Sequence, residues 1–343
     1  RVLKVEQSNS SFIYKDHFFF KLYRKLEDGI NPDVELGRYL TERRRFEHVP
    51  PYAGSISYSG GEIGSASLGL MVGLVPNEGD AWSYTASVVE RYFEHLLSMK
   101  QETGASPPSL PDILDVKLAD VPDEFIGLAD GFFLEMMYLL GQRTGELHLA
   151  LSADRSSKDF APEDFSRLYQ RSMYQSMRSL FRRVISNVKK VRRTVSEDVA
   201  EDIDRLLEQE DTILANFGRI TRRRIHAKKI RIHGDYHLGQ VLFTGRDFVI
   251  IDLEGEPARS IGERRLKYGA FRDVAGMIRS FHYAIYGKYL EYADVRPEDA
   301  EWLARWIEPW FTYVTGVFMN GYLDTVNGVD FVPQDPEELR VVL

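Results

Sequence analysis

His233-Gly234-Asp235-Tyr236-His237-Leu238-Gly239-Gln240 is followed at once by Val241-Leu242-Phe243 and, after a short turn, by Phe248-Val249-Ile250-Ile251-Asp252. The two apolar runs read as short strands joined by a hairpin. They place Asp235 just before one strand and Asp252 at the end of the other. Two carboxylates in that relation suit phosphoryl transfer: one orients the attacking hydroxyl, and the second, with an amide oxygen, holds Mg²⁺ against the nucleotide phosphates. Asp235 is the expected catalytic residue, and Gln240 and Asp252 are the expected metal ligands. His233 and His237 are read as orienting the loop, since Mg²⁺ prefers oxygen ligands.

This strand island interrupts a helical stretch. Ile230–Ile232 precedes it, and helices are expected from about Gly262 to the end. Upstream, Trp82 to about Arg224 reads as helical, with Phe165, Tyr169, Met173, Met177, Phe181 and Val188 among the residues at three- and four-residue steps, together with Leu168, Leu180 and Val184. That stripe is expected to be core. The basic clusters beside it, such as Arg182-Arg183 and Arg192-Arg193, are interleaved with Glu197, Asp198, Glu201, Asp202 and Asp204, so a solvated, salt-bridged surface is expected and not a nucleic-acid face. Trp302, Trp306 and Trp310 recur at four-residue spacing, a pattern read as core packing ahead of sugar stacking.

The first eighty residues have another character. Val2–Val5, Phe12–Lys15 and Phe18–Tyr23 read as strands, and Asn31-Pro32-Asp33 starts a helix reaching about Phe46. Ser55–Tyr58, the Gly60-Gly61 turn and Ala66–Leu74 follow as a hairpin, and Pro76–Asp80 is the linker candidate. The expected class is α+β: a β-rich N-terminal lobe over 1–80 with one helix at about 32–46, and a larger helical lobe over 81–343 carrying the loop 233–240 and Asp252.

Composition agrees with a globular protein. The chain has 343 residues, 43% of them hydrophobic and 28% charged, with a net charge of −8 and no cysteine. Disulfides, thiolate metal sites and cysteine nucleophiles are excluded. No apolar run reaches the ~18–20 residues that span a bilayer. The expectation is a cytoplasmic protein with neither nucleic acid nor membrane among its partners. The start at Arg1, directly in a strand-like run, is read as a segment of a longer polypeptide.

Asp235 and Gln240 stand five positions apart, the separation of the base Asp and metal-binding Asn in the protein-kinase catalytic loop. The segment resembles the HGDxHxxN motif and following hydrophobic-Asp signature of the aminoglycoside-phosphotransferase-like kinases. Gln240 in place of Asn, Ile251–Pro257 and Arg272–Ser280 look like the maltokinases within that group, as do Phe20–Arg24, Gly29–Glu35 and Arg143–Ala150. The resemblance implies a bilobal protein-kinase-like fold and ATP-dependent, Mg²⁺-requiring phosphorylation of maltose to maltose 1-phosphate. It also implies trehalose synthase as a fused or associated partner. Gln240 is one methylene longer than Asn, so the metal geometry is expected to differ from that of Asn-containing relatives.

Other roles follow from position. Lys21 lies in an aromatic-rich strand, where an unpaired buried ammonium is costly, so it needs ATP phosphates and a helix carboxylate; Glu35 is the first choice and Glu42 the second. No glycine-rich phosphate loop is present. Ser8, Asn9, Ser10 and Ser11 occupy its place and are candidates for capping phosphates, a plain polar hairpin being the alternative. His237, Glu254, Arg272 and Asp273 are candidate acceptor contacts, although an Arg-Asp pair at a helix start is as often structural. Another sugar, an aminosugar or an aminoglycoside remains open as acceptor. A catalytically silent scaffold is the reading from a different class, and the presence of Lys21, Asp235 and Asp252 speaks against it.

Overall fold

The computed structural model describes residues 2–3, 9–60, 64–100 and 106–343. The chain separates into two compact units, one made of 1–161 with 230–327 and the other of 162–229 with 328–343. The division at residue 80 expected from sequence falls inside the first unit.

Unit 1 begins with a five-stranded antiparallel sheet. Its strands are β1 (Val2–Leu3), β2 (Asn9–Tyr14), β3 (Phe18–Tyr23), β4 (Tyr52–Ser59) and β5 (Ser65–Gly73), ordered β1-β2-β3-β5-β4, with helix α1 (Pro32–Arg38) inserted after β3. Asn31 caps α1 by accepting the Asp33 N–H, and Pro32 sits at the first turn, where its missing N–H is harmless. A π-helical turn, Tyr39–Arg44, prolongs α1, and Arg45 ends it in a left-handed conformation (φ 52°). Part of the expected glycine turn, residues 61–63, lies outside the described residues.

β6 (Gly79–Asp80) leads into α2 (Ala81–Lys100), α3 (Asp123–Ala129) and α4 (Gly131–Ser152). Unit 2 then contributes β7 (Glu163–Asp164), α5 (Arg167–Val191), α6 (Glu197–Glu208), α7 (Glu210–Arg222) and β8 (Lys228–Lys229). Its core is thin: Phe165, Ile220 and Ile225, with Tyr169, Met173 and Met177 packed on them. The stripe expected to be core is therefore corrected in part, because Leu168, Leu180 and Val184 are 77%, 53% and 45% exposed. α7 and the segment after it pack on part of α5 and leave the flank of its apolar stripe exposed.

The chain returns to unit 1 with β9 (Val241–Phe243) and β10 (Phe248–Ile250), which pair with β6 in the order β10-β9-β6. α8 (Ile261–Arg264), α9 (Phe271–Val295), α10 (Pro297–Ala304) and α11 (Ile307–Thr325) follow, and α12 (Pro336–Val342) closes unit 2. α4 and α11 pack backbone to backbone: a Cβ on Gly141 would lie 2.1 Å from the Phe318 carbonyl oxygen. Trp306 and Trp310 are 2% and 0% exposed, and Trp302 is half-buried with its indole N–H on the Leu96 carbonyl at 3.0 Å, so the tryptophan repeat is core. Among the described residues no helix is long and apolar enough to cross a membrane.

Candidate functional site

The loop between Ile232 and β9 has no regular secondary structure until a 3₁₀ turn at Leu238–Gln240, so its backbone groups need outside partners. α9 supplies most of them. Asp273 accepts the N–H of His233 at 2.8 Å and of Gly234 at 2.9 Å, and Ser280 Oγ accepts the Leu238 N–H at 3.1 Å. Between these, a Cβ on Gly276 would meet the Tyr236 carbonyl oxygen at 2.4 Å. The three positions share one helical face, and only glycine in the middle lets the loop lie on it. From α4, Thr144 shares a 2.9 Å hydrogen bond with the buried Tyr236 hydroxyl, and His148 Nε2 lies 3.0 Å from Asp273.

His233 joins the two halves of the motif, its Nε2 donating to the Ile251 carbonyl at 2.9 Å. His237 caps the 3₁₀ turn through Nδ1, which accepts the Gly239 N–H at 3.1 Å. Both histidines hold the loop. Asp235 is left half-buried, and burial pushes its carboxyl above the ordinary value; His237 opposes this and the Glu256 carboxylate adds to it.

A second cluster forms where β3, α1 and the segment after β10 meet. Lys21 Nζ lies 2.9 Å from Asp33 Oδ2 and also donates to Asp252 Oδ1. Asp33 uses its other oxygen to accept the Leu253 N–H at 3.0 Å, and Gln240 Nε2 donates to Asp252 Oδ2 at 3.0 Å. Burial alone would lower the Lys21 pKa, but the two carboxylates outweigh it and hold it well above the usual value. Burial opposes ionisation of Asp252 as well, and the Lys21 ammonium nonetheless keeps its carboxyl low. Asp252 has φ 62°, a conformation costly for a residue with a Cβ and one that clusters at functional sites.

The carboxylate paired with Lys21 is therefore Asp33, and the expectation of Glu35 is corrected. Glu35 instead takes Arg231 at 2.8 Å and Arg265 at 2.6 Å, which hold its carboxyl low against the opposing effect of burial. Two positions along α1 turn the side chain by about 200°, so Asp33 and Glu35 cannot both face β3. Glu42, the second choice, pairs with Arg38 at 2.8 Å on an exposed surface.

Ser8 lies outside the described residues. Asn9, Ser10 and Ser11 belong to β2, paired with Tyr23, Leu22 and Lys21, and do not form the expected loop. Asn9 Nδ2 donates to Glu254 at 3.2 Å, and Arg264 Nη1 holds the other Glu254 oxygen at 3.2 Å. Asp273, expected as an acceptor contact, is 1% exposed with both oxygens engaged, so its role is to hold the loop. Arg272 is half-buried with its guanidinium 4.6 Å from the centre of the Tyr268 ring.

Lys21, Asp33, Gln240 and Asp252 line a cavity of about 460 Å³ whose other walls include Phe19, Leu70, Val72, Leu242 and Ile250. Apolar walls with a few converging polar groups suit a flat aromatic ring with charged substituents. Oxygens of Asp33, Asp252 and Glu254 lie within 4.8 Å of one another. Both oxygens of Asp33 and of Glu254 are engaged by Lys21, Leu253, Asn9 and Arg264, so the hard-oxygen donors that fit Mg²⁺ are Asp252 and the Gln240 amide oxygen. The roles not foreseen from sequence are those of Asp33, Thr144, His148, Gly276 and Ser280; the last four lie in stretches 143–150 and 272–280 that are read only for their resemblance, and only the fold brings them under the loop.

No protein-family profile matches the chain. A segment of 75 residues is 43% identical to the glucosamine kinase of Mycolicibacterium smegmatis, covering 21% of this chain and 19% of that protein. A segment of 101 residues is 26% identical to the glucosamine kinase of Streptacidiphilus jiangxiensis, covering 29% and 22%. The matches thus span about a fifth of those relatives' length. The whole chain superposes on a solved glucosamine kinase in complex with glucosamine, ADP and inorganic phosphate, with TM-score 0.69 and 18% identity, covering 100% of this chain and 72% of that one. A further crystal form of a glucosamine kinase gives 0.67 at 19% identity over 97% and 68%. At such identities the likeness is one of fold.

Proposed function

We propose that this chain belongs to an ATP-dependent sugar kinase of bilobal protein-kinase-like architecture, with an aminosugar hydroxyl as the acceptor. The observation that carries the reading is the Lys21–Asp252–Gln240 cluster on the wall of the cavity, with Asp235 fixed on the loop that shares its hydrogen bonds. In this reading residues up to about 80 form the nucleotide-binding lobe and 81–343 the helical lobe, and catalysis takes place in the cytoplasm. The adenine lies among the apolar walls, and Lys21 meets the phosphates. Asp252 and Gln240 would hold Mg²⁺, which, when bound, neutralises charge on the phosphates. Asp235 accepts the proton of the attacking hydroxyl; burial raises its pKa and so makes it a stronger base than an exposed Asp.

An aminosugar is favoured over maltose because both partial sequence relatives and the structural neighbours are glucosamine kinases. Near Asp235 the half-buried Glu256 carboxylate can pair with an ammonium. Maltose stays as the second reading, supported by the likeness of Ile251–Pro257 and Arg272–Ser280 to the maltokinases, and trehalose synthase as a partner belongs to that reading alone.

The test is a coupled ADP-release assay at saturating ATP and Mg²⁺ over glucosamine, glucose, maltose and kanamycin, with the phosphorylated position fixed by NMR. Glucosamine is expected to give the largest kcat/KM. A preference for maltose would install the second reading, and release of ADP with none of the four would remove the acceptor assignment.

A further inference from the structure

Helix α5 contains 25 residues and not one Asp or Glu. Arg167, Arg171, Arg178 and Arg182 fall within about one fifth of the helix circumference at ~100° per residue, forming one stripe beside the buried face. The next helix, α6, carries the opposite charge in the same arrangement. Glu197, Glu201 and Glu208 repeat the i, i+4, i+11 spacing of Arg167, Arg171 and Arg178, so these matched positions span ~16 Å on each helix at ~1.5 Å per residue. All of these are exposed except Arg178, which is half-buried.

The two stripes do not neutralise each other within the chain. The ion pairs that join this region are Lys189–Glu210 and Arg192–Asp204, made by neighbouring residues outside both stripes. Arg167 donates to the Thr221 carbonyl at 3.0 Å, and among the described residues Arg171, Arg178 and Arg182 meet no carboxylate at ion-pair distance; nor do Glu201 and Glu208 meet a cation, while Glu197 feels the Arg192 charge without an ion pair at that distance. Arg182, Lys190 and Arg193 also line a concave surface with Ile185, Ser186 and the Lys189–Glu210 ion pair, a shape that receives projecting side chains and in which the cations outnumber the one carboxylate.

We propose that α5 and α6 form a self-complementary surface through which two copies of this chain associate. A two-fold axis sets α5 of one protomer against α6 of its partner and satisfies the reciprocal contact at the same time. The acidic stripe decides between occupants. A phosphate backbone or an anionic bilayer drawn to α5 would be repelled by the glutamates of α6 close by, whereas a second copy brings a match for both. Exposed ion pairs are individually weak and screened over ~10 Å at 0.1 M salt, so the association is weak and salt-sensitive.

Sedimentation velocity on the full chain at about 100 µM tests this, at about 20 mM and about 500 mM salt, where screening lengths differ severalfold. A dimer is expected at low salt and a monomer at high salt. Arg171→Glu with Arg182→Glu, and separately Glu197→Lys with Glu201→Lys, should each be monomeric at low salt and form a heterodimer on mixing, circular dichroism confirming the fold. A wild-type monomer at low salt, a dimer indifferent to salt and to both reversals, or a monomer that binds poly(U) RNA or anionic vesicles instead would overturn the proposal. Should a reversal unfold the chain, the wild-type salt series decides alone.

Discussion

Asp273 Oδ1 accepts the backbone N–H of Gly234 at 2.9 Å, so the residue preceding Asp235 is held from α9 and not from within its own loop. The other Asp273 oxygen takes the His233 N–H, and His148 Nε2 adds a third contact. The carboxylate is wholly buried, which opposes its ionisation, but the His148 hydrogen bond and the loop N–H groups keep its pKa low.

Asp273→Asn should therefore lower both stability and turnover, because an amide offers one acceptor where the loop needs two. A loss of about 1–3 kcal/mol is the expected scale for a broken buried hydrogen bond. The folded pKa is depressed, so the contribution is complete above the unfolded value of ~3.9 and is lost as pH falls through the lower folded value. Urea midpoints of wild type and variant should differ at pH 7 and converge as pH falls below about 4; a gap that stays constant into acid would deny Asp273 this role.

Gly276→Ala tests the steric half of the same support. Its Cβ would stand 2.4 Å from the Tyr236 carbonyl oxygen, a backbone atom that moves only with the loop. Displacing a catalytic group by about an ångström can cost on the order of 10²-fold in rate. Expected is a kcat at least about tenfold lower with KM for ATP near wild type. Unchanged kcat would mean that the loop tolerates the shift.

Asp33→Asn and Glu35→Gln should part company. Asp33 ties Lys21 to the Leu253 N–H beside Asp252, so its loss should raise KM for ATP about tenfold or more, the usual scale for one charge-assisted contact of ~1.5 kcal/mol or above. Glu35 pairs with Arg231 and Arg265, neither of which lines the cavity, so Glu35→Gln should show mainly as a lower melting temperature. Equal effects on KM would return Glu35 to the site.

The halves of this site were unequally legible in sequence. His233–Gln240 and Asp252 could be placed because residue types and spacing are local, and β9 and β10 carry them as two short apolar runs should. The Lys21 partner could not be fixed, since both Asp33 and Glu35 lie in the first turn of α1 and only the rotation of that helix against β3 selects one. Asn9–Ser11 looked like a loop because Ser and Asn seldom fill strands, yet pairing with β3 overrides that preference. The support from Thr144, His148 and Ser280 is long-range by nature. In α5 the periodicity was real, but how far its stripe is buried depends on how many helices pack against it.

Asp235 supplies the most discriminating measurement. In its proposed role as base it must be ionised, so kcat should rise with pH through its pKa, and burial places that limb above the ~3.9 of an exposed Asp. The Glu256 carboxylate pushes in the same direction, since a like charge disfavours ionisation. Glu256→Gln should accordingly move the acid limb to lower pH. Asp235→Asn should lower kcat by about 10²–10⁴ and abolish the limb, with nucleotide affinity retained. Full pH–rate profiles of the three proteins at saturating ATP and acceptor make the comparison. If the limb survives in Asp235→Asn, another group carries the proton; if Glu256→Gln moves it upward, the carboxylate acts through hydrogen bonding and not through its charge.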